Sequence, residues 1–378
     1  MLPTRPPLCA WRKCLFALVS LMALTGCADV GYLMQSANGH LSLMRAAKPI
    51  NDWQQDVQTP LPLKARLVLA ERIRRFAVTD LGLPDNASYT RYADLHRTSV
   101  VWNVVAAPAT SLTLKTWCFP VTGCIGYRGY FDEADAKALA VELKAQGLEV
   151  SVYGVPAYST LGWLNWLGGD PLLNTFINYP DGELARLIFH ELAHQVAYAK
   201  DDTMFNESFA TAVERMGGRQ WLGTQTSNQG SEEFNANTVR RAQFRALTVS
   251  TRRALNALYR AEKSEEQILA QKSLIYQEFR NQYAALKAQW TAASNLTEQA
   301  AARQFGGYDQ WVAHANNASF GAQAAYDELV PEFENLFAQL AKQPGPPWQR
   351  FYDAVKRLAD MPMAERRAAL KSPTVLSP

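Results

Sequence analysis

Residues 186–217 read RLIFHELAHQVAYAKDDTMFNESFATAVERMG, a stretch that holds two histidines and several carboxylates. His190 and His194 lie four positions apart, and Glu191 directly follows the first of them. An α-helix turns once in about 3.6 residues, so histidines at this spacing lie on one helical face. Both imidazoles can then bind the same ion, and the HExxH pattern predicts a helix that carries two ligands of one metal site.

The sequence around the two histidines is typical of an amphipathic helix. Pro180 and Asp181 provide a start, because aspartate is a favoured N-cap residue. An apolar stripe on the neighbouring face has helical spacing and comprises Leu184, Ile188, Leu192 and Val196. We expect this helix to begin near residue 181 and to end near Lys200.

A catalytic zinc site has three protein ligands and leaves a further position for water, so a third ligand must come from elsewhere in the chain. The segment DDTMF is expected to form a turn, after which a second helix runs back along the first. Glu207 then lies about one turn into the returning helix, near the level of His194. Glu214, two turns further on, could approach the level of His190 and stays open as an alternative ligand.

The predicted site holds one zinc ion (Zn2+) between His190, His194 and Glu207. Neutral imidazole nitrogens and a carboxylate oxygen are ligands that zinc accepts. The ion lowers the pKa of its bound water, Glu191 accepts the proton as general base, and hydroxide attacks a carbonyl that zinc polarises. A structural zinc site would typically be closed by a cysteine, and none lies close in the sequence. An oxyanion donor is also needed, and the sequence does not choose between Tyr158, Tyr198 and Tyr326.

Residues 1–26 have the pattern of a bacterial secretion signal. Arg12 and Lys13 form a charged region, and the apolar run CLFALVSLMAL follows over residues 14–24. This run is too short for a membrane-spanning helix, which needs about 20 residues. We find no second apolar segment long enough to cross a membrane, so a lipid anchor is the membrane contact that we expect.

The signal ends in LTGC, residues 24–27, which resembles the lipobox of bacterial lipoproteins. The resemblance implies that Cys27 is lipidated and becomes the new N-terminus, so that acyl chains anchor the protein. Ala28 follows, without the aspartate that retains lipoproteins at the inner membrane. A periplasmic location at the outer membrane is therefore favoured. The alternative is an ordinary secretory signal beside a coincidental cysteine.

Cys118 and Cys124, in WCFPVTGC, are the cysteines that remain once the signal and the lipidated residue are set aside. An oxidising periplasm permits a disulfide that closes this short loop, and we predict that bond with a structural role. Free thiols are the alternative. Two cysteines without a nearby histidine make a poor zinc site.

The charge of the chain gives no indication of a nucleic-acid partner. Lys+Arg number 38 and Asp+Glu number 35, for a formal net charge of +3. The excess comes from the signal, which contains Arg5, Arg12 and Lys13 and no acidic residue. The remaining chain is formally neutral, whereas a nucleic-acid-binding domain typically carries a basic excess.

Hydrophobic periodicity predicts an α+β chain that is mainly α-helical. Before the histidines, the expected elements are a helix over residues 61–81, strands over 88–95 and 99–107, a helix over 132–147 and a strand over 148–155. After about residue 220 the pattern changes to long helices rich in charge. The predicted parts are a lipoprotein signal peptide (1–26), a catalytic part with a small sheet and both metal helices (27–220), and a helical C-terminal subdomain (221–378).

HELAHQ followed by NESFA resembles the gluzincins, the zincins whose third ligand is a glutamate. More narrowly, CFPVTGCIGYRGYF, GVPAYSTLGW, DPLLNTFI, FHELAHQ and FNESFATAVE resemble the bacterial lipoproteins grouped as predicted zinc aminopeptidases. The resemblance covers most of the mature chain and implies a zincin-like core, zinc, peptide substrates and the residue roles given above. In the better-known gluzincins the glutamate lies farther from the second histidine than the twelve residues that intervene here.

These observations together predict a lipid-anchored zinc metallopeptidase of the cell envelope. The family resemblance implies that this enzyme is an aminopeptidase. Hydrolysis of cell-wall peptides is a further expectation about the substrate. The alternative from a different class is a non-enzymatic envelope lipoprotein that binds a partner through its helical half and whose metal site is structural or vestigial.

Overall fold

Helices make up most of the chain and small sheets complete the part that the structure describes, so the prediction of a mainly helical α+β protein is confirmed. The computed structural model describes residues 31–119, 123–157, 159–162, 168–225 and 228–371. The predicted signal peptide, Cys27 and Tyr158 lie outside these residues. Within the described ranges, no helix is sufficiently long and apolar to cross a membrane.

Helices and strands are interspersed in the first half of the chain, and the described elements of the second half are all helices. The helices are α1 (31–46), α2 (Ile50–Gln55), α3 (Leu61–Thr79), α4 (Glu133–Ala145), α5 (Asp181–Ala193), α6 (Thr203–Gly223), α7 (Asn228–Tyr259), α8 (Glu265–Ala293), α9 (Glu298–Ala313), α10 (Asn317–Asp327), α11 (Val330–Leu340), α12 (Pro347–Ala359) and α13 (Met363–Lys371). The strands are β1 (Lys48–Pro49), β2 (Arg91–Ala93), β3 (Val101–Pro108), β4 (Trp117–Phe119), β5 (Gly123–Ile125), β6 (Arg128–Tyr130), β7 (Leu148–Val155) and β8 (Leu172–Leu173).

The sheet that matters for the site has the strand order β6-β3-β7, with both pairings antiparallel. Helix α4 covers one face, where Val104 belongs to an apolar cluster with residues of α4. Helix α10 covers the other face, where Val105 clusters with Ala318. Because β3 is buried on both faces, its sequence is almost continuously apolar. Strand β7 forms an edge of this sheet, and its bounds coincide with the predicted strand.

Two smaller sheets complete the described part of the chain, with the orders β1-β2-β8 and β4-β5. The strands predicted over 88–95 and 99–107 correspond to β2 and β3, and β2 is much shorter than its apolar pattern suggests. Only three residues of β2 pair with neighbours, because its partners β1 and β8 are themselves short.

The predicted starts of two helices differ in outcome. Asp132 caps α4 by accepting a hydrogen bond from the amide of Ala134 at 2.7 Å. Asp181, predicted as the N-cap of the first metal helix, is instead the first helical residue, and Pro180 precedes it at the N-cap position. The Asp181 carboxylate pairs with Arg66 at 2.5 Å, so an ion pair to a distant helix replaces the local cap.

The first metal helix is also shorter than predicted. Helix α5 ends at Ala193 and His194 is its C-cap residue, whereas the apolar pattern placed the end near Lys200. The chain then makes turns that Asn206 stabilises, because its side chain accepts from the amide of Ala199 at 2.8 Å and donates to the carbonyl of the same residue at 2.9 Å. The prediction of the helix end was wrong because the side chain that bonds Ala199 belongs to a later helix. These hydrogen bonds leave no periodic pattern of apolar residues in the sequence.

The helices divide between two apolar cores in a way that chain order does not suggest. The first core joins α3, α5 and α6 to the last helices, α11, α12 and α13. Phe209 of α6 contacts Phe333 and Phe351 across it, with ring centroids 5.7 and 5.8 Å apart. The second core lies among α7, α8, α9 and α10. The end of the chain therefore supports the metal helices directly.

A buried ion pair fixes α13 against the start of α6. Asp202 caps α6 through the amide of Phe205 and pairs with Arg366 at 2.7 Å. Arg367 also bonds the Asp202 carboxylate. Removing one partner of a buried pair leaves an uncompensated charge, so this contact holds the two helices in one arrangement.

A second buried polar contact attaches the helical half to the sheet. Lys272 of α8 donates to the carbonyl of Ala109 at 2.7 Å and pairs with Glu149 at the start of β7. The other carboxylate oxygen of Glu149 accepts from the amide of Asn317 at 2.7 Å, at the start of α10. Helices α8 and α10 are therefore held at a defined position against the sheet that borders the site.

Candidate metal centre

The structure brings His190, His194 and Glu207 together. The Nε2 atoms of the two histidines lie 3.2 Å apart. Oε2 of Glu207 lies 3.4 Å from Nε2 of His190 and 3.5 Å from Nε2 of His194. All three side chains are largely buried, and each offers one ligand atom to a common point. These three residues, the metal group, could hold a metal ion.

The spacing of the three donor atoms fits zinc. Tetrahedral coordination with bonds of about 2.0–2.2 Å places ligand atoms about 3.3–3.6 Å apart. The measured separations run from 3.2 to 3.5 Å. Two imidazole nitrogens and one carboxylate oxygen are also a donor set that catalytic zinc sites use. A tetrahedral ion held by these three side chains would have a fourth position for water or substrate.

Glu214 contacts the opposite edge of the His190 ring. Its Oε2 lies 3.0 Å from Nδ1 of His190, and its Oε1 accepts a 2.6 Å hydrogen bond from Arg186. The alternative in which Glu214 binds the metal does not match this geometry, because the carboxylate holds the nitrogen that faces away from the other donors. A carboxylate at this position sets the tautomer and the orientation of a metal-ligating histidine. Glu214 is therefore a positioning residue, and Arg186 supports it.

Glycines in α6 allow this helix to pack closely against α5 and against the side chain of Arg186. A Cβ atom at Gly218 would lie 2.8 Å from Cγ of Arg186, and one at Gly217 would lie 3.1 Å from the ring of Phe189. Gly218 therefore leaves space for the buried Arg186 side chain against α6, and Gly217 leaves space for Leu81 and Phe189. Arg186 precedes His190 by four residues, so helical spacing places both side chains on one face of α5. This spacing could have indicated that one carboxylate contacts both of them.

Three consecutive residues at the start of α6 organise the site. Asn206 closes the turn after α5, and Glu207 faces the histidines. Ser208 donates to the carbonyl of Ala325 at 2.9 Å and accepts from the amide of Leu329 at 3.3 Å. The NES sequence thus joins the turn, the metal group and the end of α10.

Glu191 lies in surroundings that raise its pKa. Burial raises the pKa of this carboxyl, the neighbouring His190 and His194 lower it, and the carboxylates of Glu207 and Glu214 raise it again. The net direction is upward from the ordinary value of 4.5. A carboxylate with a raised pKa accepts protons more readily near neutral pH, as a general base must.

Of the tyrosines considered from the sequence, Tyr326 contacts the metal group. Its ring stacks on that of His190 with centroids 6.3 Å apart and planes inclined by 23°. Burial raises the pKa of the Tyr326 hydroxyl well above 10, and nearby carboxylates add to the effect, so the hydroxyl stays protonated and can donate. Burial raises the pKa of Tyr198 to about 12, with a contribution from Glu207. Tyr158 lies outside the described residues.

Tyr127 and Tyr153 also lie near Glu207. Burial raises the pKa of Tyr153 to about 12 and that of Tyr127 well above 10, and the charge of Glu207 raises both further. Tyr153 comes from β7 and Tyr127 from the loop between β5 and β6. Neither has a spacing to the HExxH helix that could have shown this position, since only the packing of the sheet brings them there.

Asp170, the first residue of the DPLLNTFI segment, is a buried carboxylate near Glu191. It accepts hydrogen bonds from the amide of Thr160 at 3.1 Å and from the hydroxyl of Ser159 at 3.4 Å. Burial raises the pKa of Asp170 to about 6, while the bond from Thr160 lowers it and the charge of Glu191 raises it. Asp170 therefore fastens the loop over residues 159–162 beside the metal helix.

Cys118 and Cys124 are joined by a disulfide bond across the β4–β5 hairpin. The amide of Cys124 donates to the carboxylate of Asp201 at 2.6 Å. Asp201 has a φ of 64° in the turn between α5 and α6, a conformation that aspartate tolerates better than most residues. The hairpin thus contacts the turn from which the helix of Glu207 begins.

Comparison with models of protein families finds a match over most of the chain. A model of the family described as "Putative aminopeptidase" matches residues 31–370, and this range contains the metal group and Glu191. No curated protein and no solved structure matches the chain.

Proposed function

The chain belongs to the "Putative aminopeptidase" family, and on this premise we propose that it is a zinc-dependent metallopeptidase that acts as an aminopeptidase. Family membership supports a peptidase role without naming a metal or a substrate. The observation that carries the zinc assignment is the tetrahedral spacing of His190, His194 and Glu207 beside Glu191. In this proposal α5, α6 and the adjacent sheet form a zincin-like catalytic core.

Each residue of the site has a chemical role in peptide hydrolysis. A zinc ion held by His190, His194 and Glu207 would lower the pKa of a bound water and polarise the substrate carbonyl. Glu191 accepts a proton from the attacking water and passes it to the leaving amine. Glu214 accepts the hydrogen bond of Nδ1 of His190, which keeps Nε2 of that ring available as a ligand.

Tyr326 is the hydrogen-bond donor that we assign to the substrate oxygen. Its hydroxyl keeps its proton because burial raises the pKa, and its ring lies against that of His190. A donor aimed at the oxygen that becomes negative in the transition state stabilises that charge in a buried site. In this proposal Tyr326 and a zinc ion would both stabilise the charge on the same carbonyl oxygen.

The side of β7 that faces away from β3 offers a place for the peptide backbone. Val155 directs its carbonyl to the amide of Val100 on the β3 side, and Val150 directs its carbonyl outward to Asn316. Successive residues of a strand alternate, so the carbonyls of Val152 and Gly154 face outward as well. An extended peptide can add to such an edge through main-chain hydrogen bonds, near Tyr153 and the metal group.

Removal and return of metal test the proposed function. The protein beginning at Ala28 is expected to hold one zinc ion per chain and to cleave peptides from their N-terminal end. Treatment with a chelator should abolish cleavage, and one equivalent of zinc should restore it, because binding supplies the Lewis acid. Zinc content is measured by elemental analysis and cleavage by mass spectrometry of the products. Zinc binding without hydrolysis of ordinary or cell-wall peptides would favour the non-enzymatic lipoprotein that binds a partner.

We also propose that the protein is periplasmic and anchored to the outer membrane through lipid on Cys27. The disulfide between Cys118 and Cys124 supports an oxidising compartment. Mass spectrometry of the N-terminal peptide from membrane fractions is expected to show acyl chains on Cys27, and the Cys27→Ser protein should leave the membrane fraction. An unmodified N-terminus in soluble periplasm would contradict the anchor.

A further inference from the structure

A cavity of about 530 Å³ lies between the start of α6, the β3–β7 face of the sheet and α10. Helices α7 and α13 contribute to its rim through Arg252 and Met363. The apolar residues on its wall include Leu114, Tyr127, Tyr153, Met204, Ala322 and Ala325. Ligand pockets in proteins commonly measure about 300–1,000 Å³, so the space is large enough for a bulky side chain and adjoining atoms.

The cavity shares a wall with the metal centre. Tyr326 lines the cavity and also stacks on the ring of His190. Tyr127 and Tyr153 line it too, and both are close enough to Glu207 for its charge to raise their pKa. A group that enters the cavity therefore lies beside the residues that surround the reacting bond.

The charged residues of the described wall are all paired with protein groups. Arg252 and Glu328 form an ion pair of 2.9 Å. Arg367 bonds Asp202, which is itself buried. The carboxylate of Asp201 accepts from the amide of Cys124. A charged substrate side chain in the cavity would lose its hydration without gaining an unpaired counter-charge, whereas an apolar one would gain from leaving water.

We propose that this cavity is the specificity pocket of the enzyme, and that it receives a large uncharged side chain, aromatic or aliphatic, from a residue beside the scissile bond. The inference rests on the proposed peptidase function, because it names the substrates that the same site prefers. Its floor of tyrosine rings suits aromatic groups, since ring pairs add to the gain from burial. Peptides with lysine or glutamate at that position are poor substrates.

Ala325 offers a substitution that fills the cavity from its wall. It lies in the last turns of α10, where its partly exposed position tolerates leucine, a good helix former. Ala325→Leu therefore narrows the pocket and leaves the metal ligands untouched. Ala138→Leu is the matched control, because Ala138 lies on the exposed side of α4, across the sheet from α10.

The first test uses a set of peptides that differ in the residue on either side of the scissile bond: Phe, Leu, Ala, Lys or Glu. The zinc-loaded wild-type protein is expected to cleave the Phe peptide with a kcat/KM about 10–100-fold above that of the Ala peptide at one of the two positions. Ala325→Leu should reduce the value for Phe about tenfold and that for Ala by less than about twofold. Ala138→Leu should change neither.

The second test measures binding without turnover. Fluorescent Phe and Ala peptides are titrated against the zinc-loaded Glu191→Gln protein by anisotropy, with and without Ala325→Leu. Preferential binding of the Phe peptide that Ala325→Leu removes supports the pocket even if the wild-type protein cleaves nothing, in which case only the proposed function fails. Cleavage without preference for Phe or Leu overturns the pocket and leaves the function standing. Absence of selective binding together with absence of cleavage overturns both.

Discussion

Glu191→Gln is expected to lower kcat/KM for peptide hydrolysis by about 10²–10⁴-fold, with the fold and the zinc content unchanged. Glutamine has almost the shape of glutamate but cannot take a proton from water at neutral pH. The carboxyl of Glu191 has a raised pKa through burial, so it is suited to accept and return a proton during the reaction. Steady-state kinetics, circular dichroism and elemental analysis measure the three properties on the same preparation.

Two further variants are compared with Glu191→Gln. Tyr326→Phe should reduce kcat more than it changes KM, because the lost hydroxyl acts on the transition state. Ala138→Leu should behave as the wild type. If Glu191→Gln retains full activity, Glu191 is not the base and the proposed mechanism is wrong. A parallel loss of zinc would instead assign Glu191 to the stability of the metal group.

Glu207→Gln is expected to abolish stoichiometric zinc binding, while Glu214→Gln should retain zinc with an affinity about 10–100-fold lower. The difference follows from position. Glu207 places its oxygen 3.4 and 3.5 Å from the Nε2 atoms of both histidines, whereas Glu214 bonds Nδ1 of His190. Competition with a chromogenic chelator measures both affinities. The reverse order, with zinc lost in Glu214→Gln and retained in Glu207→Gln, would make Glu214 the third ligand.

Zinc uptake by the metal-free protein should release protons. Burial lowers the pKa of His190, but hydrogen bonds to Glu207 and Glu214 outweigh it and raise the pKa well above 6.5. The metal-free protein therefore favours the protonated form of His190, whereas zinc needs its neutral nitrogen. Zinc affinity should rise with pH until the pH passes the pKa of His190. Calorimetry in two buffers of different ionisation enthalpy counts the protons, and a result of none would contradict this protonation state.

Local sequence was sufficient to predict several elements near the site. Strand β7 coincides with the run LEVSVYGV, and the helix that carries His190 and Glu191 follows from apolar residues at helical spacing. These predictions depend on residues that are neighbours in the chain, where periodicity reports directly which face is buried. Glu207 lies opposite the histidines as expected, because α6 returns along α5 although residues 194–202 form a longer connection than the expected turn.

The details of that turn were beyond local sequence. Periodicity extended the first metal helix to Lys200, whereas α5 ends at Ala193. The side chain of Asn206 replaces the missing helical bonds at Ala199, and its effect depends on the packing of α6 against α5. A side chain that satisfies backbone groups from another element changes the cost of ending a helix without changing its apolar pattern.

Residues far apart in the chain complete the site, and only packing brings them together. Ser208 donates to the carbonyl of Ala325, 117 positions away, and Tyr326 stacks on the ring of His190. The cavity likewise takes its walls from the sheet, α6 and α10. HExxH indicated a metal site because two ligands on one helix need no tertiary contact to share a face. The proposed substrate oxygen donor, the proposed role of Glu214 and the proposed pocket depend on contacts between separate elements, for which one sequence carries no spacing rule.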